Sequence, residues 1–332
     1  MATVKDIDYL FISTRIRTLE ARLLTSERMA RMLDAATSED AAKTILECGY
    51  PEITPLTPQN IQAALLSEQQ RVVADLAALS PNPDLVDVFR VKYDYHNVKV
   101  LLKAEATAQN AQHLLADMGR VPVKELQEKM TASDLRGLPT LLQSAITSAR
   151  ETLGTTGDPQ LADLALDKAY YEEMLLLSKH TDSAFLDGYI RISIDAANLR
   201  TAVRTIRMGK NAEFLRDTLI PSGNMDLPRF LAAASAGGSL AELFALSPLK
   251  QAAEAGVAAL KGGRLTQFEK LCDNAVTEYL GKAKYVPFGE APIIAYLAAK
   301  ENELTAIRII LTGRLANLPA ETIKERLRDS YV

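Results

Sequence analysis

A lysine after glycine, as in Gly281-Lys282, is the centre of a phosphate loop, but G-x-x-x-x-G-K-[ST] also requires an earlier glycine and a magnesium-binding hydroxyl. Val276 and Ala283 occupy those two positions, so ATP binding of this kind is not expected. Helical proteins hold iron through glutamates three residues before histidines. Tyr93, Asn110 and Leu177 stand at that spacing before His96, His113 and His180. Gly237-Gly238-Ser239-Leu240-Ala241 approaches a nucleophile elbow but lacks the last glycine and a preceding strand, and Ser239 reads as a helix cap. The neighbouring acids of Tyr170-Tyr171-Glu172-Glu173 point in different directions on a helix and read as a solvated face. Cys48 and Cys272 form neither CxxC nor a zinc-like spacing, and they fit a reducing cytoplasm better than a disulfide framework. No catalytic residue, cofactor or metal site is expected.

What the charged residues do instead is recur. Asp94-Tyr95-His96-Asn97-Val98-Lys99 matches Asp195-Ala196-Ala197-Asn198-Leu199-Arg200 as acid, two spacers, Asn, aliphatic, base. Glu303-Leu304-Thr305-Ala306-Ile307-Arg308 is a third copy in which Ala306 replaces Asn. The acids lie about a hundred residues apart, which reads as three copies of one helical unit. Lys99, Arg200 and Arg308 are therefore equivalent, with Lys103 and Arg204 one turn further on. Such rows are commonly solvation and dipole complementarity. The sharper expectation is that a pseudo-threefold arrangement brings Lys99, Arg200 and Arg308, with Lys103 and Arg204 beside them, around one opening. That basic collar on an otherwise acidic protein would seat an acidic partner helix. Asn97 and Asn198 read as polar contacts fixing how helices cross, and His96, beside Lys92, Lys99 and Lys103, as an exposed or hydrogen-bonding residue.

Helices must position these rows. Val88, Val91, Tyr95, Val98 and Leu102 form one apolar stripe, and Ile192, Ala196, Leu199, Val203 and Ile206 another, each displaced around the helix from its bases. A first helix carries Ile12, Ile16, Leu19 and Leu23 on one face, and a second ends at Cys48-Gly49-Tyr50-Pro51, where glycine can take the left-handed cap. Thr57-Pro58, Asn82-Pro83, Asp158-Pro159 and Ser247-Pro248 read as helix starts. Ser239 with Glu242 and Thr266 with Glu269 read as capping boxes. Gly237-Gly238 and Gly262-Gly263 read as tight turns. The class is all-α, in units expected at 1–118, 119–220 and 221–332.

Composition bounds the partners. Of 332 residues, 48% are apolar and 24% charged, the balance of a packed globular protein. The net charge of −4 argues against general attraction to nucleic acid or anionic lipid. Met1-Ala2-Thr3-Val4-Lys5-Asp6 lacks the apolar core of a secretory signal, and Pro55 and Pro58 interrupt the uncharged stretch from Ile53 to Ser67. Membrane contact is expected only through partners.

The same residues carry a resemblance to the C subunits of V/A-type rotary ATPases, a family that includes the d subunit of the eukaryotic vacuolar enzyme. It runs from Asp8-Tyr9-Leu10 and Arg15-Ile16-Arg17-Thr18-Leu19-Glu20 through Tyr93-Asp94-Tyr95-His96-Asn97-Val98-Lys99 and Tyr170-Tyr171-Glu172-Glu173. It continues through Arg204-Thr205-Ile206-Arg207-Met208-Gly209-Lys210 and Leu219-Ile220-Pro221-Ser222-Gly223 to Ile307-Arg308-Ile309-Ile310-Leu311-Thr312-Gly313-Arg314. Members of that family usually carry Asn where Ala306 stands.

The resemblance implies three similar helical subdomains forming a funnel-shaped socket on the cytoplasmic face of the membrane-embedded proteolipid c-ring. The socket would receive the central axle of the D and F subunits and pass torque toward the catalytic A and B subunits, without catalysis of its own. The rival readings are a generic helical-repeat scaffold without rotation, and an enzyme with a metal between its helices, for which the ligand spacing is missing.

Overall fold

Ile12 and Ile16 fall one turn apart, and α1 (Leu10–Glu20) turns both into the core. The helix stops there, so Leu23 enters the core from the following turn. The computed structural model describes residues 4–107, 110–235 and 239–332, and among these the chain is all-helical with no strand. Threonine hydroxyls start the next helices: Thr25 caps α2 (Ser26–Asp34) and Thr37 caps α3 (Ser38–Lys43) by accepting backbone N–H groups. A short 3-10 helix, Thr44–Cys48, ends at Gly49 with φ of 88°, the expected left-handed cap.

Thr57 caps α4 (Pro58–Leu79), with proline first in the helix. Asn82 accepts the Asp84 N–H where α5 (Asp84–Thr107) begins. After α6 (Val123–Ala132) and α7 (Thr140–Thr156), Asp158 caps α8 (Pro159–Thr181), and Ser183 caps α9 (Ala184–Arg207). There follow α10 (Ala212–Thr218), α11 (Leu227–Ser235), α12 (Leu240–Leu243), α13 (Lys250–Leu260) and α14 (Leu265–Gly281). The chain finishes with α15 (Glu290–Leu315) and α16 (Ala320–Lys324).

Three expected starts differ. Ser239 has helical backbone angles and makes no side-chain cap bond, because a capping oxygen needs extended backbone to reach the next turn's amides. Thr266 lies inside α14, whose cap position is Arg264, and Ser247 bonds Leu249 in a turn that precedes α13. Gly262, at φ of 99°, makes the expected turn between α13 and α14. Gly237-Gly238 lies outside the described residues.

The same packing occurs three times. Helix α4 leads to α5, α8 to α9 and α14 to α15, and these neighbours touch. Across the repeat, α5 packs on α8, α9 on α14, and α15 returns to α4. Both expected apolar stripes are buried, apart from Ile206, which is half-buried. One apolar core gathers α1, α5, α8 and the first halves of α9 and α15. A second fills the region from Ile192 to Ala275, and a third joins Leu24–Leu65 to Leu304–Leu327. The two ends of the chain thus share one core, which closes the cycle of helix pairs. Each fully buried Leu or Ile contributes about 1.5–3 kcal/mol relative to exposure.

Candidate partner-binding site

Two of the long repeat helices, α5 and α9, grip a loop with an acid and an asparagine. The Asn97 amide donates to the Ala116 carbonyl at 2.8 Å and accepts the Ala116 N–H at 2.9 Å. Asn198 makes the same two bonds to Ile220, both at 2.8 Å. Asp94 accepts the Val121 N–H and the Arg120 guanidinium, while Asp195 accepts the Asn224 and Met225 N–H groups. The asparagines therefore hold the following loop and not, as expected, a crossing helix. Burial pushes the Asp94 and Asp195 carboxyls above the usual carboxylate range, and their hydrogen bonds pull the other way. In the third copy Glu303 accepts the Leu24 N–H and the Tyr50 hydroxyl, both at 2.6 Å, and Ala306 offers no amide. Here the gripped segment comes from the start of the chain.

The bases lie on the opposite flank of these helices, and most are paired at home. Lys99 meets Asp167 at 2.5 Å and Lys103 meets Asp163 at 2.6 Å, both acids on α8. Arg200 meets Asp273 at 2.5 Å and Arg204 meets Glu269 at 2.6 Å, both on α14. As the bases run forward the acids run backward, the signature of antiparallel helices. Half-exposed pairs of this kind contribute about 0–1 kcal/mol each and serve mainly to set register. Arg308 instead bonds the Gln62 side-chain oxygen on α4 at 3.0 Å. Four of the five expected bases thus meet an acid within the chain, Arg200 sharing Asp273 with Arg328. The one sequence signal of their acids is spacing: Asp163/Asp167 and Glu269/Asp273 share the four-residue interval of the bases they meet.

Two clefts open between the repeat helices and share Glu301 and Asn302. The larger, about 590 Å³, lies between α4, α5 and α15 and is lined by Gln62, Lys92, His96, His113, Glu301 and Arg308, among others. Lys92 bridges to Glu301 at 2.7 Å across it, and His96 Nε2 lies 3.0 Å from the Leu114 carbonyl. The smaller, about 170 Å³, is lined by Tyr171, Tyr189, Arg200 and Asp273 with the shared pair. Burial pushes the Tyr171 phenol up to about 12, opposed by Arg200 and reinforced by Asp167 and Asp273. The structure brings Arg200 and Arg308 to adjoining clefts; Lys99, Lys103 and Arg204 line neither. Glu173 departs from the solvated face expected of it: it is buried against Arg120 and takes the Tyr95 hydroxyl at 2.8 Å.

A profile of the ATP synthase (C/AC39) subunit family matches residues 12–326, which takes in both loop grips and both clefts. The chain belongs to the ATP synthase (C/AC39) subunit family. Among relatives of this C/AC39 chain, the C subunit of the V-type sodium ATPase of Enterococcus hirae is 25% identical over 98% of this chain and 99% of its own length. The C subunit of the A-type ATP synthase of Methanocaldococcus jannaschii is 26% identical over 96% of this chain and 86% of its own. That of the V-type ATP synthase of Thermus thermophilus is 25% identical over 96% and 98%. Among the described residues of this C/AC39 chain, no helix is long and apolar enough to cross a membrane. Nor, among them, are three His, Cys, Asp or Glu side chains grouped to hold a metal ion.

Proposed function

We propose that this chain is a non-catalytic rotor component in the central stalk of a V/A-type rotary ATPase. It couples the membrane proteolipid ring to the axle of the D and F subunits, and so passes torque between ion translocation and ATP synthesis or hydrolysis at the A and B subunits. The observation that carries this reading is the end-to-end similarity to the C subunits of a V-type sodium ATPase and a V-type ATP synthase, in which nearly all of both chains is aligned. The protein sits peripherally on the cytoplasmic face of the membrane and meets lipid only through the ring.

The geometry supports the reading in two ways. A torque adaptor has to resist shear, and close-packed interiors deform little. Here the helix pairs close into a cycle, with ion pairs fixing register on the outside and buried polar grips fixing the loops. Three helix pairs in cyclic order also favour a pseudo-threefold, funnel-shaped socket, built from units near 1–118, 119–220 and 221–332; of the five bases, Lys99, Lys103, Arg200 and Arg204 are engaged within the chain, which leaves Arg308 for axle contact.

Affinity purification of the tagged chain from its native membranes tests the assignment. The expected result is stoichiometric recovery of both the proteolipid ring and the D–F axle. Recovery of neither, with the chain folded, contradicts it and favours a scaffold without a rotary role.

A further inference from the structure

Three equivalent bases meet three equivalent side chains, and one of the three pairs is not an ion pair. Lys99 faces Asp167 and Arg200 faces Asp273, but Arg308 faces Gln62. Gln62, Asp167 and Asp273 occupy corresponding places on α4, α8 and α14, the helices on which α15, α5 and α9 pack. Arg308 is exposed, and among the described residues no acid lies within ion-pair distance of it. It lines the 590 Å³ cleft together with His96 and His113, and the acid within that lining, Glu301, is already held by Lys92. The cleft therefore leaves Arg308 without an acid, whereas Lys99 and Arg200 each have one, that of Arg200 being shared with Arg328.

We propose that the Arg308–Gln62 cleft receives a carboxylate-bearing segment of the axle and fixes the axle in one of three otherwise similar orientations. This rests on the rotor reading. A base already paired gains little from a second acid, while an arginine bonded only to a neutral amide gains a charge-assisted, bidentate partner. A socket with three similar walls also offers a shaft three similar seats, and discrimination among them requires a difference of affinity. Gln62, standing where the other two walls carry an acid, supplies that difference.

The test uses the full-length chain and the purified D–F axle, with affinity measured across a range of salt concentrations. Gln62→Glu gives Arg308 an internal partner like those of Lys99 and Arg200, and leaves Arg308 itself in place. It is expected to weaken axle binding on the order of tenfold and to flatten the salt dependence, as is Arg308→Gln. Lys99→Gln, Arg200→Gln and Gln160→Glu, the last adding the same charge outside the cleft, are expected to bind within about twofold of wild type. Thermal melting separates binding from folding, since Gln62→Glu should melt no lower than wild type. Wild-type affinity and salt slope in Gln62→Glu, or equal losses at all three bases, overturn the proposal while leaving the rotor reading intact. Failure of the wild-type chain to bind the axle overturns both.

Discussion

A methyl group is what Gly119 and Gly223 have no room for. A Cβ on Gly119 would lie 2.0 Å from Asp94 Oδ1, and one on Gly223 2.2 Å from Asp195 Oδ1. Each glycine lets its loop press onto the buried acid that binds the amides just beyond it. Gly223→Ala is therefore expected to destabilise the fold by about 1–3 kcal/mol, read from urea denaturation; an unchanged midpoint would contradict the contact. The acid itself has a pH signature. Burial raises the folded-state pKa of Asp195 above its unfolded value. Its contribution to stability is thus fully present below the unfolded pKa and is lost as pH rises through the folded one. Asp195→Asn removes this titration, so the margin of wild type over the variant should be largest near about pH 4 and shrink toward about pH 7. A margin that widens with pH would show that the hydrogen bonds, not burial, set the carboxyl.

Between elements, two of the three helix junctions are pinned by buried charge. Lys300 lies 3.1 Å from Glu68 on α4 and 2.6 Å from Glu303, with its ammonium 4.6 Å from the centre of the Tyr50 ring. Arg120 joins Asp94 on α5 to Glu173 on α8. At the α9–α14 junction a tyrosine takes the corresponding place, and Tyr279 donates to the Phe185 carbonyl. Lys300→Met leaves Glu303 buried without a countercharge and Glu68 with Arg71 alone, and a loss of about 3–5 kcal/mol in chemical denaturation is expected. A loss below about 1 kcal/mol would mean that the acids reach water or neutralise readily. This level also shows where the sequence was legible. The stripe from Val88 to Leu102, the caps at Thr57 and Asp158 and the turn at Gly49 depend on residues a few positions apart, and the periodicity exposes them. The pairing of Arg308 with Gln62 spans 246 positions and that of Arg120 with Glu173 spans 53, so the buried role of Glu173 and the neutral partner of Arg308 emerge only from packing. Ser239 and Thr266 failed as caps because the motif specifies residue types and not the backbone angles that make a cap work.

At the scale of the whole molecule, the chain closes on itself. The third core joins Leu24–Leu65 to Leu304–Leu327, so strain applied to α15 reaches α4 directly instead of travelling the length of the chain. A closed cycle of packed helix pairs suits a part loaded in torsion, and under the proposal above the exception at Arg308 and Gln62 would give that cycle a direction. The central claim is that this part transmits rotation and makes no bonds. It is tested most directly by assembling the rotary complex in vesicles with and without this chain, and following ATP hydrolysis and ion uptake in the same preparation. Without the chain, hydrolysis by the A and B subunits should persist while ATP-driven ion uptake is lost, and adding the purified chain back should restore uptake. Ion uptake that stays coupled to hydrolysis in its absence would contradict the account.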